Sequence, residues 1–260
     1  MALSPFLTVY LIACAVTALG FVKFAYFMSL GYAFTESAIG LALIVMYKKQ
    51  LTMASALLCL CLIIYGVRLG SYLIIRKKRA SFNEKMKKEG RNEDKKLGMG
   101  VMISTWLSCA LLYLWEASPV LFRLQNGKGD DLLAYLGVII CIVGLVFEGL
   151  GDHQKYEAKK KEPTRFVNTG LYSVVRCPNY FGEILMWTGI FVSGFTACQG
   201  VWQWISAIVG YICIVGVMYG AAMSIEKSHN KNYDEDEKYQ DYVKKTPIII
   251  PFVPLYHLVK

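Results

Sequence analysis

The segment between Gly151 and Glu183 brings polar groups to the edge of a strongly apolar chain. Its candidates for binding a polar ligand are Asp152, Asn168, Arg176, Asn179 and Glu183. Gly170, Pro178 and Gly182 supply the backbone freedom and the rigidity that tight turns between short helical pieces require. Irregular backbone at membrane depth is tolerated where it lines a cavity, so the spacing predicts a pocket wall. The alternative is a capped interfacial loop.

Two basic residues lie inside long apolar runs, where a charge is costly. Arg68 lies deep in its run, one turn after Tyr65, and an intramembrane charge of this kind indicates a functional site with a partner. Lys23 lies near the end of its run, so its ammonium group can reach the membrane surface without any further role. Arg68 is therefore the stronger candidate for function within the membrane.

Composition defines the elements that must position these residues. Of 260 residues, 55% are apolar, the mean hydropathy is +0.41, and the charges are clustered. A soluble domain of this size needs more polar surface, so most of the chain must lie in a non-aqueous solvent. The net charge of +9 does not indicate nucleic-acid binding, because the basic residues lie in short segments between apolar runs.

Seven apolar runs approach the roughly 20 residues that a helix needs to cross a bilayer core of about 30 Å. They are Pro5–Met28, Leu30–Tyr47, Leu51–Ile75, Leu97–Ser118, Leu132–Leu150, Phe181–Cys198 and Val201–Ile225. Helices are predicted because lipid-exposed backbone must satisfy its own hydrogen bonds and no alternating strand pattern is present. The first run lacks a basic leader, so it is predicted to be a retained span. The predicted fold is an all-α, multi-pass transmembrane bundle with short cytosolic loops that form a pocket.

Basic residues are concentrated on one predicted side of the membrane. With seven spans, Arg76–Lys96, Gly151–Tyr180 and Glu226–Lys260 share a side and hold 10, 6 and 6 of the 28 Lys and Arg residues. The opposite connections hold four, namely Lys48, Lys49, Arg123 and Lys128. By the positive-inside rule, the rich side is cytosolic. The lysine-rich stretch Arg76–Lys96 is predicted to be a solvated loop, with docking to anionic lipid as the alternative.

Eight cysteines are scattered along the chain. Six lie inside apolar runs: Cys14, Cys59, Cys61, Cys109, Cys141 and Cys213. Neither a CxxC nor a Cys/His spacing occurs, so neither a disulfide framework nor a metal site is expected. Buried thiols that pack as small apolar side chains are predicted instead.

The run Asn168–Glu183, NTGLYSVVRCPNYFGE, closely resembles the signature N-x-x-G-L-W-x-x-S/C-R-H-P-N-Y-x-G-E of the steroid 5α-reductase C-terminal domain family. Upstream, Phe147–Lys155 resembles the D-x-Q-K stretch of that family. Downstream, Tyr239–Phe252 is similar to its closing Y-x-x-Y-x-x-x-T-x-x-x-I-P-F. In the third span, Tyr65–Leu69 and Arg76 resemble its R-L…Y-L…R pattern. The resemblance covers most of the chain.

This resemblance implies an NADPH-dependent reductase of a conjugated carbon–carbon double bond in a lipid, such as a steroid or sterol enone. Asp152, Asn179 and Glu183 match family positions that contact the cofactor. Lys159, Asn168 and Arg176 complete the set of candidate cofactor-binding residues, because cations and neutral donors suit phosphate. Neither a strand followed by G-x-G-x-x-G nor G-x-x-x-x-G-K-[ST] occurs, so the site must be built from helix ends and loops.

The resemblance also implies the catalytic residues. Tyr65 matches the tyrosine that polarises the substrate carbonyl, and Glu36, which opens the second span, is a looser match to its acidic partner. Hydride transfer to the β carbon of an enone places negative charge on the carbonyl oxygen. A preorganised donor such as Tyr65, assisted by Glu36, would stabilise that charge. A proton then reaches the α carbon, while the protein supplies orientation and electrostatics.

Three departures from the family pattern matter. Cys177 stands in place of the usual histidine, Tyr172 in place of the usual tryptophan, and Glu148 in place of an asparagine. A histidine could donate to a phosphate or fix the turn, whereas a thiol does either poorly. Simple helix packing is the other role open to Cys177.

Two other functions are consistent with the residues. An enzyme similar to isoprenylcysteine carboxyl methyltransferases would share an R-H-P-x-Y motif and use S-adenosylmethionine, but Asn179, Gly182 and Glu183 favour a reductase. A non-catalytic lipid-binding relative is the third possibility. The intact Asp152 and Arg176 argue against it, and the missing histidine argues for it.

The chain is expected to form one transmembrane domain, residues 1–260. In it, residues 5–75 contribute to a substrate cavity and residues 97–260 form a reductase-like core. The expected partners are a lipid or sterol substrate and membrane lipids, without nucleic acid or metal. The expected location is the endoplasmic reticulum membrane in a eukaryote or the inner membrane in a bacterium.

Overall fold

The computed structural model describes residues 3–78 and 97–259, and it contains eight α-helices and no strand within them. The helices are α1 Pro5–Thr17, α2 Leu30–Met46, α3 Met53–Lys77, α4 Met99–Gln125, α5 Leu132–Lys161, α6 Pro178–Ser193, α7 Gly200–Tyr233 and α8 Glu237–Lys245. Short 3₁₀ turns cover Ala18–Phe21, Phe24–Tyr26 and Gly170–Ser173. The predicted all-α class is confirmed. Most of the predicted loop Arg76–Lys96 lies outside the described residues. Its first two residues, Arg76 and Lys77, belong to α3.

Five helices in the described ranges are long and apolar enough to cross a membrane. They are Phe24–Met46, Met53–Lys77, Met99–Gln125, Leu132–Lys161 and Gly200–Tyr233. The N-terminal stretch Pro5–Phe21 is a shorter apolar helix, and α6 has only 16 residues. Each of the seven apolar runs therefore contains a helix, and five of these helices have full spanning length. The multi-pass helical architecture is confirmed.

The beginning of α3 shows how the sequence defines a helix end. The Thr52 hydroxyl accepts a hydrogen bond from the backbone N–H of Ser55 at 3.4 Å, and the Ser55 hydroxyl accepts from the Thr52 N–H at 2.9 Å. This reciprocal capping box satisfies two donors that would otherwise be orphaned at the first turn. It fixes the first turn of the helix that carries Tyr65.

The helix α4 continues past the predicted end of its span, and this corrects the placement of Arg123. Arg123 was predicted to lie in a connection, but it lies within α4 and is fully buried. Its guanidinium donates to the carbonyl oxygens of Gly129 and Ser193, the Thr196 hydroxyl and the Asp131 carboxylate. Burial is tolerated because these acceptors surround the charge. The helix passes through Pro119, whose ring removes one backbone donor without ending α4.

The chain divides into two compact units. The first contains Met1–Ile139 with Gly189–Tyr211, and the second contains Ile140–Thr188 with Ile212–Lys260. The boundaries fall within α5, α6 and α7, so this grouping differs from the predicted one of residues 5–75 and 97–260. A contribution of residues 5–75 to a substrate cavity stays a prediction.

In the first unit, α2 and α3 approach each other backbone to backbone. A Cβ at Gly66 would overlap the carbonyl oxygen of Ala33, and a Cβ at Gly40 would lie 2.7 Å from the carbonyl oxygen of Cys59. The Ser37 hydroxyl donates to a backbone carbonyl of α3 at 3.0 Å. Small residues at such an interface let two membrane helices pack closely and exchange hydrogen bonds.

In the second unit, α5 and α6 also approach each other closely at glycine residues. A Cβ at Gly182 would lie 2.7 Å from the carbonyl oxygen of Gly144, and one at Gly144 would lie 2.6 Å from the carbonyl oxygen of Gly182. Gly182 was predicted to serve a turn. It instead lies inside α6, and its role is this close approach. Gly170 does adopt a positive φ of 61°, and Pro178 begins α6.

All eight cysteines lie in the described part of the chain, and none is paired. Of the six in apolar runs, five are buried and Cys213 is partly exposed. The prediction of packed thiols is confirmed, with Cys213 as the exception to full burial.

Candidate functional site

Three tyrosines from three helices form a buried cluster in the first unit. Tyr65 of α3 is fully buried and donates a hydrogen bond to the hydroxyl of Tyr32 of α2 at 2.8 Å. The Tyr32 ring lies 4.9 Å from the ring of Tyr113 of α4, whose hydroxyl donates to the carbonyl oxygen of Phe27 at 2.7 Å. Tyr32, Tyr65 and Tyr113, here called the tyrosine cluster, place phenolic donors in an apolar interior.

The predicted acidic residue belongs to the same unit as the tyrosine cluster. Glu36 lies one turn after Tyr32 on α2, on the same helical face, and is fully buried. Its two carboxyl oxygens have no hydrogen-bond partner among residues 3–78 and 97–259. A buried polar group without hydrogen bonds requires an explanation, and a role in an active site is one such explanation. Arg68 is half-buried one turn after Tyr65, and its functional role stays a prediction.

Tyr32 was missed by sequence reasoning, although a signal for it exists. It precedes Glu36 by four residues, the spacing that places two side chains on one face of a helix. Its hydrogen bond to Tyr65 depends on how α2 packs on α3, which the local sequence does not specify.

The second unit contains a buried ion pair between Arg176 and Glu226 of α7. The Arg176 Nη2 atom lies 3.2 Å from the Glu226 Oε1 atom, with side-chain exposures of 7% and 0%. Nη2 also donates to the carbonyl oxygen of Tyr256. The backbone N–H of Arg176 donates to the carbonyl oxygen of Pro247 at 2.8 Å. The Nε atom of Arg176 is buried and has no hydrogen-bond partner in the described ranges.

Glu226 was also missed by sequence reasoning. Besides Arg176, its carboxylate accepts the backbone N–H groups of Leu258 at 2.8 Å and Val259 at 3.1 Å. Its Oε1 atom lies 3.2 Å from Nδ1 of His257. A glutamate near the end of an apolar run gives no signal that it will bind the distant C-terminus.

A cleft beside this ion pair gathers part of the predicted cofactor set. The cleft is narrow, with a cavity volume of about 20 Å³, and it is partly open to solvent. The predicted residues Lys159, Arg176 and Asn179 line it, together with Lys155 and His229. This pocket, here called the basic cleft, concentrates cationic and neutral donors of the kind that bind phosphate.

The other three predicted cofactor residues lie elsewhere in the second unit. Asn168 lines a more open groove of about 490 Å³, together with Lys161 and Arg165. Asp152 and Glu183 are buried, with 5% and 6% exposure, and line neither the groove nor the basic cleft. Asp152 lies on α5, which continues to Lys161 through a stretch predicted to be irregular.

Local sequence fixes the wall of the basic cleft. Gly170 adopts a left-handed conformation, and a Cβ there would lie 2.5 Å from the side-chain oxygen of Gln154. That same oxygen accepts the N–H of Leu171 at 2.8 Å. The next residue, Tyr172, donates to the carbonyl oxygen of Gly151 at 3.3 Å. Tyrosine in place of the usual tryptophan therefore anchors the 3₁₀ turn to α5.

The helix α8 also contacts the 3₁₀ turn that lines the basic cleft. Tyr242 of α8 lines the cleft and donates to the carbonyl oxygen of Tyr172 at 2.6 Å. Its ring stacks on Phe166, which also packs edge-on against Tyr239. Burial raises the pKa of Tyr239 to about 12 and also raises the pKa of Tyr242, so both phenols stay neutral donors at physiological pH.

Cys177 lines the basic cleft at the position where the family pattern has histidine. Its side chain is buried, and burial raises the pKa of the thiol to about 11, although Lys155 and Arg176 act in the opposite direction. The thiol is therefore neutral at physiological pH. It supplies a weak donor and packing volume, but no charge for a ligand.

The chain is a multi-pass helical bundle whose second unit contains the basic cleft. Residues 29–246 match the family described as "Protein of unknown function (DUF1295)". The chain belongs to this family, which is the steroid 5α-reductase-like family. The family resemblance expected from Asn168–Glu183 is therefore confirmed.

Curated relatives match about half of the chain. This chain is 28% identical over 119 residues to "3-oxo-5-alpha-steroid 4-dehydrogenase 1" of Rattus norvegicus. The aligned region covers 45% of this chain and 40% of that protein. The chain is 26% identical over 120 residues to "Steroid 5-alpha-reductase DET2" of Arabidopsis thaliana, covering 45% and 41%. An uncharacterized protein of Schizosaccharomyces pombe is 30% identical over 154 residues, covering 51% and 44%.

These matches span about two fifths of the length of the curated relatives. No solved structure matches the chain significantly. Together with the five helices able to cross a membrane, the relatives identify an integral membrane protein.

Proposed function

We propose that the chain is a membrane-embedded oxidoreductase that uses NADPH to reduce a conjugated carbon–carbon double bond in a lipid, such as a steroid or sterol enone. Family membership and relatives named as steroid reductases support the reaction class. The observation that carries the proposal is the basic cleft, where Lys159, Arg176 and Asn179 meet.

The residues present fit a phosphate-bearing cofactor. Arg176 lines the basic cleft with a buried Nε atom that has no partner in residues 3–78 and 97–259, so one donor of a planar guanidinium remains for a ligand. Lys155 and Lys159 add positive charge, and Asn179 adds an amide. When bound, NADPH supplies the hydride for the reduction.

Lys159 also shapes the edge of the cleft. Its ammonium donates to the carbonyl oxygens of Pro163 at 3.1 Å and Arg165 at 2.5 Å, which closes the turn after α5. A phosphate near this ammonium would therefore meet a lysine whose position is already fixed. Preorganisation of this kind lowers the entropic cost of binding.

The tyrosine cluster is the proposed carbonyl-binding site. The Tyr65 hydroxyl would donate to the carbonyl oxygen of an enone, with Tyr32 turning from acceptor to donor toward Tyr65. Such preorganised donors in a dry site contribute several kcal/mol as charge develops on the oxygen. Glu36 lies one turn from Tyr32, and neither of its carboxyl oxygens has a hydrogen-bond partner in the described part of the chain, so it is the proposed acidic partner.

The proposed orientation places the basic cleft in the cytosol, because 22 of the 28 Lys and Arg residues fall on its predicted side. NADPH is then available to the site directly. The proposed membrane is the endoplasmic reticulum in a eukaryote or the inner membrane in a bacterium. Asp152, Asn168 and Glu183 remain proposed cofactor residues through their family match or their polar chemistry.

Binding of NADPH and of S-adenosylmethionine to the purified protein tests this proposal. We expect NADPH to stabilise the protein against thermal unfolding, and we expect NADPH fluorescence to be quenched on binding. S-adenosylmethionine should not stabilise the protein. Asn179→Asp keeps the side-chain shape and places an anion in the cleft, so it should weaken NADPH binding about tenfold or more. Asn232→Asp, an equivalent change at an exposed position of α7, should leave binding unchanged.

Stabilisation by S-adenosylmethionine without NADPH binding would contradict the reductase proposal and favour methyl transfer. Binding of neither molecule would favour a non-catalytic lipid-binding protein. Equal NADPH affinities in the two asparagine variants would remove Asn179 from the site.

A further inference from the structure

We propose that Glu226 and the C-terminal segment Tyr256–Val259 form a clamp that positions Arg176 for the cofactor. The inference rests on the proposed function and adds a positioning residue to it. Glu226 is 1% exposed, and its carboxylate is held by Arg176 on one oxygen and by two backbone N–H groups on the other.

The clamp satisfies a buried charge that would otherwise be unfavourable. A buried ion pair is tolerated only when further hydrogen bonds satisfy the groups that the partner leaves open. Arg176 occupies Oε1 of Glu226, and the N–H groups of Leu258 and Val259 occupy Oε2. The backbone N–H groups of Leu258 and Val259 therefore complete the hydrogen bonding of the buried ion pair.

The fold of the C-terminal segment brings these donors back to Arg176. The Pro247 carbonyl oxygen accepts the Arg176 N–H, and the Ile248 N–H donates to the carbonyl oxygen of Leu255 at 2.8 Å. Between them, Phe252 adopts a left-handed φ of 63° at the tip of the turn. Both the backbone and the guanidinium of Arg176 are thus tied to the same folded-back segment.

This arrangement determines which donors of Arg176 remain for a ligand. Nη2 is used by Glu226 and by the Tyr256 carbonyl oxygen, whereas Nε is without a partner in the described part of the chain. A guanidinium held at one end presents its remaining donors in a fixed direction. Loss of the clamp would let the side chain lose this orientation.

Glu226→Gln tests the clamp while preserving side-chain size. A glutamine has one acceptor oxygen and one donor nitrogen, so it cannot accept from both Arg176 and the two N–H groups. We expect the NADPH dissociation constant to rise about tenfold. Glu226→Asp, which keeps the charge, should recover part of this loss. Glu235→Gln, the same charge change at an exposed position, should have no effect.

A double-mutant cycle separates positioning from a general structural role. In an Arg176→Lys background, Glu226→Gln should raise the dissociation constant only slightly further, because its effect passes through the guanidinium. A structural role would lower affinity by the same factor in both backgrounds and would overturn the inference. Truncation after Leu255 leaves Glu226 in place and should also weaken NADPH binding about tenfold. It keeps the test decisive if Glu226→Gln does not fold.

The outcomes distinguish this inference from the proposed function. A wild-type protein that does not bind NADPH would overturn both. NADPH binding by wild type, with an unchanged dissociation constant in Glu226→Gln and in the truncated chain, would overturn the clamp alone.

Discussion

The first unit holds Tyr65 and Tyr32 in a fully buried hydrogen bond between two packed helices, whereas the second gathers Lys159, Arg176 and Asn179 around a cleft that opens to solvent. Neutral phenols suit an apolar interior because they carry no charge that must be desolvated. Cations suit phosphates, which arrive from water. We therefore propose carbonyl polarisation in the first unit and cofactor binding in the second.

The two regions share one structural device, a close helix approach at glycine. Gly66 lets α3 meet α2 next to Tyr65, and Gly182 lets α6 meet α5 close to Asn179. In each case an added Cβ would meet backbone atoms, which cannot move aside as a flexible side chain does. Each site is thus positioned by rigid helix packing in its own unit.

The strongest prediction separates the two regions by function. Arg176→Ala should raise the NADPH dissociation constant about 100-fold, because it removes a charged donor from the basic cleft. Tyr65→Phe should lower kcat about 100-fold and leave NADPH affinity unchanged, because it removes one donor to the developing oxyanion. Titration of NADPH fluorescence and steady-state turnover measure the two effects.

Matched variants test whether position or residue type causes these effects. Lys128→Ala removes an exposed cation of the first unit, and Tyr135→Phe removes an exposed hydroxyl bonded to Asp130. Both should be close to wild type. Normal turnover in Tyr65→Phe, or a loss of NADPH affinity in that variant, would break the proposed division of labour.

A smaller effect is expected when the close approaches are overpacked. Gly66→Ala and Gly182→Ala should each lower the free energy of unfolding by about 1–3 kcal/mol, since a methyl group would press on backbone atoms. In the folded fraction, Gly66→Ala should affect turnover more than cofactor affinity, and Gly182→Ala should do the reverse. Thermal unfolding in detergent and NADPH titration measure these quantities.

The control for this pair is Gly216→Ala in α7. A Cβ at Gly216 would meet nothing within 4 Å, so the substitution should be neutral or stabilise the protein by up to about 1 kcal/mol. Equal unfolding temperatures in all three glycine variants would contradict the role of close packing.

The smallest effect concerns the thiol in the basic cleft. Burial raises the pKa of Cys177 from 9.0 to about 11, so the folded protein keeps a proton that the unfolded chain loses above pH 9. Stability from this group is complete below pH 9 and is lost as the pH rises toward 11. Cys177→Ser lacks this titration, and its unfolding temperature should fall less between pH 9 and 11. Parallel declines in both proteins would contradict the buried neutral thiol.

The fold class could be predicted because long apolar runs leave helices as the only stable choice in lipid. The family signature predicted Arg176 and Asn179 as cofactor-binding residues; both line the basic cleft, and their role stays a prediction. Gly170 was correctly assigned to a turn, since the φ of 61° favours glycine. These successes rest on signals contained in short stretches of sequence.

The remaining features depend on contacts between distant residues. Tyr32 and Glu226 gain their roles from partners far along the chain, and neither has a diagnostic local pattern. Arg123 was misplaced because a charged residue near an apolar run suggests a helix end, whereas surrounding acceptors bury it inside α4. Gly182 was assigned to a turn because helix–helix contact is invisible in one segment.

Transfer of deuterium from labelled NADPH to a lipid tests the central claim most directly. The full chain would be incubated with a lipid extract and NADPH carrying deuterium on the transferred position, and products would be analysed by mass spectrometry. The account predicts lipids that gain two hydrogens, one of them deuterium, with the signal strongly reduced in Tyr65→Phe. Bound NADPH with no labelled lipid, or equal labelling in that variant, would contradict it.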